Sequence, residues 1–222
     1  MTPRPYHTGE RQRTMDAGRD RILAAGLAVL KRGDIAAMSL EAVAQEAGVT
    51  RMTVYNQFGS KAGLFEELFD LLVTRGAFTE MQAIFIEKDV ARAFDAFVAV
   101  FGRFYTENRK VMAKMRAAAG SDPDLDAAMR KRNERRRRGV ETLVQRLGKQ
   151  HRPLVPAAEL VTVLDVLLSF NTFDVIAGPA RTPDAVVPVM QRLIRGVAGI
   201  TDTAKPIRSK SKRAGKPKKD KR

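Results

Sequence analysis

Residues 39–58 read Ser39-Leu40-Glu41-Ala42-Val43-Ala44-Gln45-Glu46-Ala47-Gly48-Val49-Thr50-Arg51-Met52-Thr53-Val54-Tyr55-Asn56-Gln57-Phe58. Ser39 suits a helix N-cap, because its hydroxyl accepts from a backbone N–H that the first turn leaves unpaired. Leu40, Val43, Ala44 and Ala47 fall at i, i+3, i+4 and i+7, one apolar face of a short helix. Gly48 then supplies a turn needing positive φ, where other residues are strained. Val49 plugs the space between two helices, and Thr50 caps the second. On that second helix Val54 and Phe58 point inward at i, i+4. Arg51, Met52, Thr53, Tyr55 and Asn56 are left on the other faces, crowded toward its N-terminal half. Helix, tight turn and helix with polar and aromatic groups facing away from the apolar side is the pattern of a helix-turn-helix.

The second helix carries the side chains that duplex recognition uses. The N-terminal half of such a helix enters the major groove. Arg51 matches the O6 and N7 acceptors of guanine, and Asn56 matches adenine or a phosphate. Thr53 suits a hydrogen bond or a thymine methyl, and Met52 suits a thymine methyl. Tyr55, the amides near Thr50, and Lys61 at the start of the next helix suit phosphates. Ser39, Thr50, Arg51, Met52, Thr53, Tyr55, Asn56 and Lys61 are therefore the candidate DNA-binding residues.

Outward from this stretch the chain reads all-α. Apolar residues recur at helical spacing, and period-2 alternation is nearly absent. Gly33 after Lys31-Arg32, Gly59-Ser60, Asp122-Pro123 and Thr182-Pro183 are stop and start signals. They predict about nine helices, over 16–32, 39–47, 50–58, 60–77, 90–106, 109–119, 122–149, 156–177 and 182–200. Pro188 predicts a kink or a late start in the last. The expected organisation is a flexible arm at 1–14, a three-helix DNA-binding domain at 15–60, a larger helical domain at 61–202, and a disordered basic tail at 203–222.

The balance of charge is strongly basic. The net charge is +15, and residues 203–222 hold ten Lys/Arg against Asp220, leaving 15 − 9 = +6 on residues 1–202. Such a surplus favours a polyanionic partner through counterion release. An alternative to sequence reading is therefore a protein that coats DNA nonspecifically through its tail. With no cysteine, disulfides and thiolate metal sites are excluded. The two histidines, His7 and His151, accompany no spaced carboxylate set, and no phosphate-cradling glycine loop is present, so no cofactor, metal or catalytic group is expected. No signal peptide or span of ~20 apolar residues is visible, which predicts a soluble, cytoplasmic chain without a membrane role.

Residues of about 16–65 resemble the DNA-binding domain of the TetR family of bacterial transcriptional regulators. The resemblance is carried by Ser39-Leu-Glu-Ala-Val-Ala, Ala47-Gly-Val-Thr, Thr53-Val-Tyr-Asn-Gln-Phe-Gly-Ser-Lys61 and Leu64-Phe65. Met52 stands where the family often has glycine, and Gly26 where alanine is usual. The resemblance implies a larger C-terminal helical domain for ligand binding and dimerisation. It implies a homodimer through residues 156–200, repression at a palindromic operator, and release by a small molecule. The candidate ligand residues are Phe97, Phe101, Phe104, Tyr105, Met112, Met115, Asp165, Phe170 and Asn171. They form an apolar stripe with a few polar groups, which serves either as plain core or as the wall of an apolar or amphipathic ligand site. The run Arg130–Arg138 spreads around a helix and is expected to be mostly solvated, with an anionic ligand or partner as the alternative.

Overall fold

The computed structural model describes residues 8–32, 38–74, 80–148, 150–151 and 153–200, and all regular structure among them is helical. The helices are α1 (Thr8–Arg32), α2 (Leu40–Ala47), α3 (Arg51–Phe58), α4 (Lys61–Thr74), α5 (Met81–Ile86), α6 (Val90–Glu107), α7 (Arg109–Ala119), α8 (Pro123–Leu147), α9 (Ala157–Leu167), α10 (Phe170–Ala177) and α11 (Val187–Ala198). A 3-10 turn at Asp184–Val186 precedes α11. The expected tail, 203–222, lies outside the described residues.

Three departures from the expected spans have identifiable physical causes. Helix α1 begins at Thr8, inside the segment read as a flexible arm. No proline interrupts the chain between Thr8 and the buried pair Ile22 and Leu23, so the helix extends backward from its anchored end. The span 156–177 is two helices, bent by 52°. Ser169 caps α10 by accepting from the Thr172 N–H at 3.2 Å. In a continuous helix that N–H would bond the Leu168 carbonyl. The carbonyl instead accepts from the buried Tyr105 hydroxyl at 2.8 Å. Pro188 produces the late start: it sits in the first turn of α11, where its missing N–H costs nothing.

Helix α6 runs through the middle of the larger domain, packed by α5, α7, α8, α10 and α11. Its inward stripe of Phe94, Phe97, Phe101, Phe104 and Tyr105 is buried. The rings meet edge-on or tilted, with Phe97–Phe101 centroids 5.0 Å apart and Tyr105–Phe173 5.4 Å apart. Such geometry places ring edges against neighbouring faces. Helix α4 packs on both α1 and α8 and so joins the N-terminal helices to the rest. No single helix among the described residues is long and apolar enough to cross a membrane; only the bent pair α9–α10 has the length and composition.

Candidate nucleic-acid interface and ligand cavity

The helix-turn-helix is built by its caps. Ser39 accepts from the Ala42 N–H at 3.1 Å, starting α2. Gly48 ends it at φ 63°, with its N–H and that of Val49 closing on Ala44 and Gln45 carbonyls. Thr50 starts α3 by accepting from the Thr53 N–H at 3.1 Å, and the two threonine hydroxyls are 2.9 Å apart. Val54 is fully buried and Phe58 nearly so, which fixes the inward face of α3. Arg51, Met52, Tyr55 and Asn56 are exposed, Met52 at 64% and Tyr55 at 53%. Met52 and Tyr55 are thus two large side chains kept in water on one capped helix.

Helix α1 and α4 brace this unit. The Arg19 guanidinium lies 4.7 Å from the Phe58 ring centre, donates to the Gln57 carbonyl at 3.0 Å, and pairs with Glu67 at 2.8 Å. Arg32 forks onto Glu46 at 3.1 and 2.7 Å, and that hydrogen bond holds Glu46 below the usual carboxylate range. Gly63 lets α4 approach α3, because a Cβ there would stand 2.2 Å from the Phe58 carbonyl oxygen.

Of the candidate DNA contacts, Arg51, Met52, Tyr55 and Asn56 share the exposed face. Ser39 and Thr50 serve as caps, and Thr53 closes the Thr50 cap. Lys61 is placed differently from the phosphate contact expected. Its ammonium lies 2.6 Å from Asp122 Oδ2 and 5.7 Å from the Phe65 ring centre. The cause is tertiary: α4 and α8 pack together and bring the α8 N-cap beside the start of α4.

A cavity of about 210 Å³ lies between α4, α5, α6 and α8. Phe69, Val73, Met81, Phe85, Phe97 and Phe101 form its apolar wall. Asp70, Arg132, Arg135, Arg136 and Gly139 form the rest. Gly139 brings the α8 backbone against Phe97, whose ring edge would be 2.9 Å from a Cβ. Arg136 is nearly buried and donates to Asp165 at 2.9 Å and Asn133 at 3.0 Å. Burial works against its charge, but the Tyr105 oxygen and Asp165 hold its pKa above the ordinary value. Arg135 pairs with Asp70. Arg132 lies 5.5, 5.3 and 5.8 Å from the ring centres of Phe69, Phe104 and Tyr105.

Residues 22–68 match the model of the bacterial regulatory proteins of the tetR family. Over these residues the chain is similar to the DNA-binding domain of that family. It is 32% identical over 90 residues to the HTH-type transcriptional regulator AlkX of Mycobacterium tuberculosis, a match spanning 40% of this chain and 42% of that one. The chain thus covers less than half of this relative's length. The fold is similar to that of a TetR transcription regulator from Haloarcula marismortui, at TM-score 0.60 and 15% identity, over 82% of this chain and 97% of that chain. It is also similar to the TetR family regulator PfmR from Thermus thermophilus, at TM-score 0.55 and 22% identity, over 82% and 99%.

In the larger domain the expected ligand residues are dispersed. Phe97 and Phe101 line the cavity, whereas Phe104, Tyr105, Met112, Met115 and Phe170 are buried and not part of its lining, Phe104 and Tyr105 standing behind Arg132. Tyr105 spends its hydroxyl on Leu168. Asp165, expected as a polar anchor, is taken by Arg136. Asn171 is exposed and accepts from Arg116. The basic run is likewise not simply solvated. Lys131 pairs with Glu66, and Arg132 and Arg136 turn into the cavity wall. The signal was present in spacing: Leu125, Met129, Arg132, Arg136, Val140, Leu143 and Leu147 step by three and four along one face. Two arginines occupy positions of the apolar stripe. Exposed Val166, Val175 and Leu193 stand on α9, α10 and α11.

Proposed function

We propose that this TetR-family transcription regulator is a ligand-responsive repressor, binding a palindromic operator in double-stranded DNA as a homodimer and leaving it when a small apolar or amphipathic molecule binds. The observation that carries the reading is the exposed face of Arg51, Met52, Tyr55 and Asn56 on a short helix capped at both ends and anchored by Val54 and Phe58. Rigid anchoring supports base reading, since a groove contact needs a fixed side-chain origin. Arg51 reads guanine, Asn56 adenine or phosphate, Met52 a thymine methyl, and Tyr55 the backbone.

Homodimerisation through residues 156–200 is supported by Val166, Val175 and Leu193, which are 60%, 69% and 43% exposed on α9, α10 and α11. Large apolar groups left in water on neighbouring helices suit burial against a second copy. A dimer sets two α3 helices about 34–36 Å apart, one DNA turn. The cavity between α4 and α8 supports ligand response: α4 follows the reading head directly, so a ligand that prefers one α4 position changes DNA affinity.

Selection of genomic fragments at physiological ionic strength tests this reading. Full-length protein and a version ending at Thr201 both enrich one palindromic site, and Arg51→Ala loses it. Retention by the tailed protein alone, without sequence preference, would establish nonspecific coating by the basic tail instead.

A further inference from the structure

We propose that the cavity between α4, α5, α6 and α8 takes a monoanionic amphipathic ligand, a carboxylate on an alkyl or aryl body, with Arg132 as its anion anchor; this deepens the ligand-responsive reading above and rests on it. The cavity joins two chemistries. Its phenylalanines, Met81 and Val73 offer an apolar wall, and its polar lining is three guanidiniums and one carboxylate. A ligand buried there must be apolar along most of its surface and negative at one end.

The charge count selects a single negative charge. Arg135 is balanced by Asp70, and Arg136 by Asp165. Arg132 is paired with no carboxylate among the described residues. Its company is three aromatic rings, whose faces stabilise a cation only in part. Burial consequently pulls the Arg132 pKa below its ordinary value, with the neighbouring Arg136 adding to the effect and Tyr105 opposing it. A guanidinium in an apolar wall with no anion stores unfavourable desolvation energy that a carboxylate relieves, and its planar fork matches a carboxylate in bidentate fashion. A dianionic phosphate would leave one charge of its own unbalanced. The volume, about seven times the ~30 Å³ share of a water molecule, suits a compact acid.

Position explains consequence. Arg132 and Arg135 lie on the stretch of α8 that packs against α4, and Arg135 and Lys131 are ion-paired to Asp70 and Glu66 of α4. An incoming carboxylate competes with Asp70 for this cluster and alters the α4–α8 contact.

The test is calorimetric titration of the full-length protein with decanoate and 4-phenylbutyrate, against 1-decanol as the neutral probe. Expected is one site per chain for at least one acid, with decanol at least tenfold weaker. Arg132→Met, which removes the charge and keeps an unbranched side chain, weakens acid binding at least tenfold while its Tm stays equal to or above the parent's. Equal affinity for decanol, no acid binding, or unchanged acid binding in the Met variant each overturns the proposal. The neutral-probe comparison needs no variant and holds if Arg132→Met does not fold. Operator release is read separately by adding acid to the DNA complex. Acid binding without release retains the anion site and overturns the ligand-responsive reading; release that does not depend on Arg132 does the reverse.

Discussion

The Lys61 ammonium stands 2.6 Å from the Asp122 carboxylate, tying the first residue of α4 to the N-cap of α8. Asp122 has two duties there, since its other oxygen accepts from the Leu125 N–H at 3.2 Å. Partial burial opposes its ionisation, but Lys61 and the backbone donors win, so its pKa sits below the usual carboxylate range. The residue that follows the reading head is thus held by the domain that contains the cavity.

Two substitutions separate the duties of Asp122. Asn keeps the cap and loses the ion pair, whereas Ala loses both. Loss of a cap costs about 0.5–2 kcal/mol. Urea denaturation is expected to rank parent above Asp122→Asn above Asp122→Ala. A carboxylate with a depressed folded pKa contributes stability above its unfolded value, near ~3.9, and loses that contribution as pH falls through the folded value. The gap between parent and Asn variant is therefore constant above about pH 5 and closes in stronger acid. A gap that persists at the acid end would assign the effect to packing.

Arg51→Ala is expected to cost about 1–3 kcal/mol of operator affinity and to relax preference at one base pair. Tyr55→Phe should weaken all sequences alike if its hydroxyl meets phosphate. Fluorescence anisotropy with matched and single-mismatch duplexes reads both. An unchanged mismatch profile for Arg51→Ala would remove it from base reading.

Gly63→Ala forces a Cβ to within 2.2 Å of the Phe58 carbonyl oxygen, a backbone atom that cannot rotate away. Overpacking of this kind costs about 1–3 kcal/mol. A lower Tm with weakened operator binding is expected, because the strain falls on the α3–α4 junction. Parent-like thermal unfolding would mean that the junction relaxes freely.

Asp165→Ala leaves the nearly buried Arg136 without its carboxylate. Removing one partner of a buried pair costs about 3–5 kcal/mol, whereas replacing both by apolar groups is often neutral. Asp165→Leu combined with Arg136→Met should accordingly be more stable than Asp165→Ala alone. Chemical denaturation of the three proteins gives the order, and a double variant less stable than Asp165→Ala would contradict it.

Val175→Asp and Leu193→Asp introduce charge at positions exposed in the single chain. Secondary structure by circular dichroism should stay intact while sedimentation shifts from dimer to monomer. Sedimentation unchanged in the double variant would move the interface elsewhere.

The reading head was legible because everything that makes it is local. Ser39, Gly48, Thr50 and Gly59 act within a few residues of themselves, and Val54 with Phe58 announces the inward face by spacing alone. The cavity was less legible. Phe97 and Phe101 were readable as apolar stripe, but nothing in their spacing separates them from Phe104, which is core. The short helix α5, with Phe85 in the cavity wall, is too brief for its periodicity to register. The break at Leu168 depends on a hydroxyl 63 residues away, that of Tyr105.

By itself the sequence determined the helical class, the helix-turn-helix and its exposed side chains, because caps, turns and periodicity are written in near neighbours. The tertiary structure alone decided the surroundings of three charged groups. Lys61 went to Asp122 rather than staying free, Asp165 went to Arg136, and Arg132 went into a cage of rings without a carboxylate. The physical reason is range: a cap is closed by atoms a turn away, whereas an ion pair is settled by which distant helices pack together.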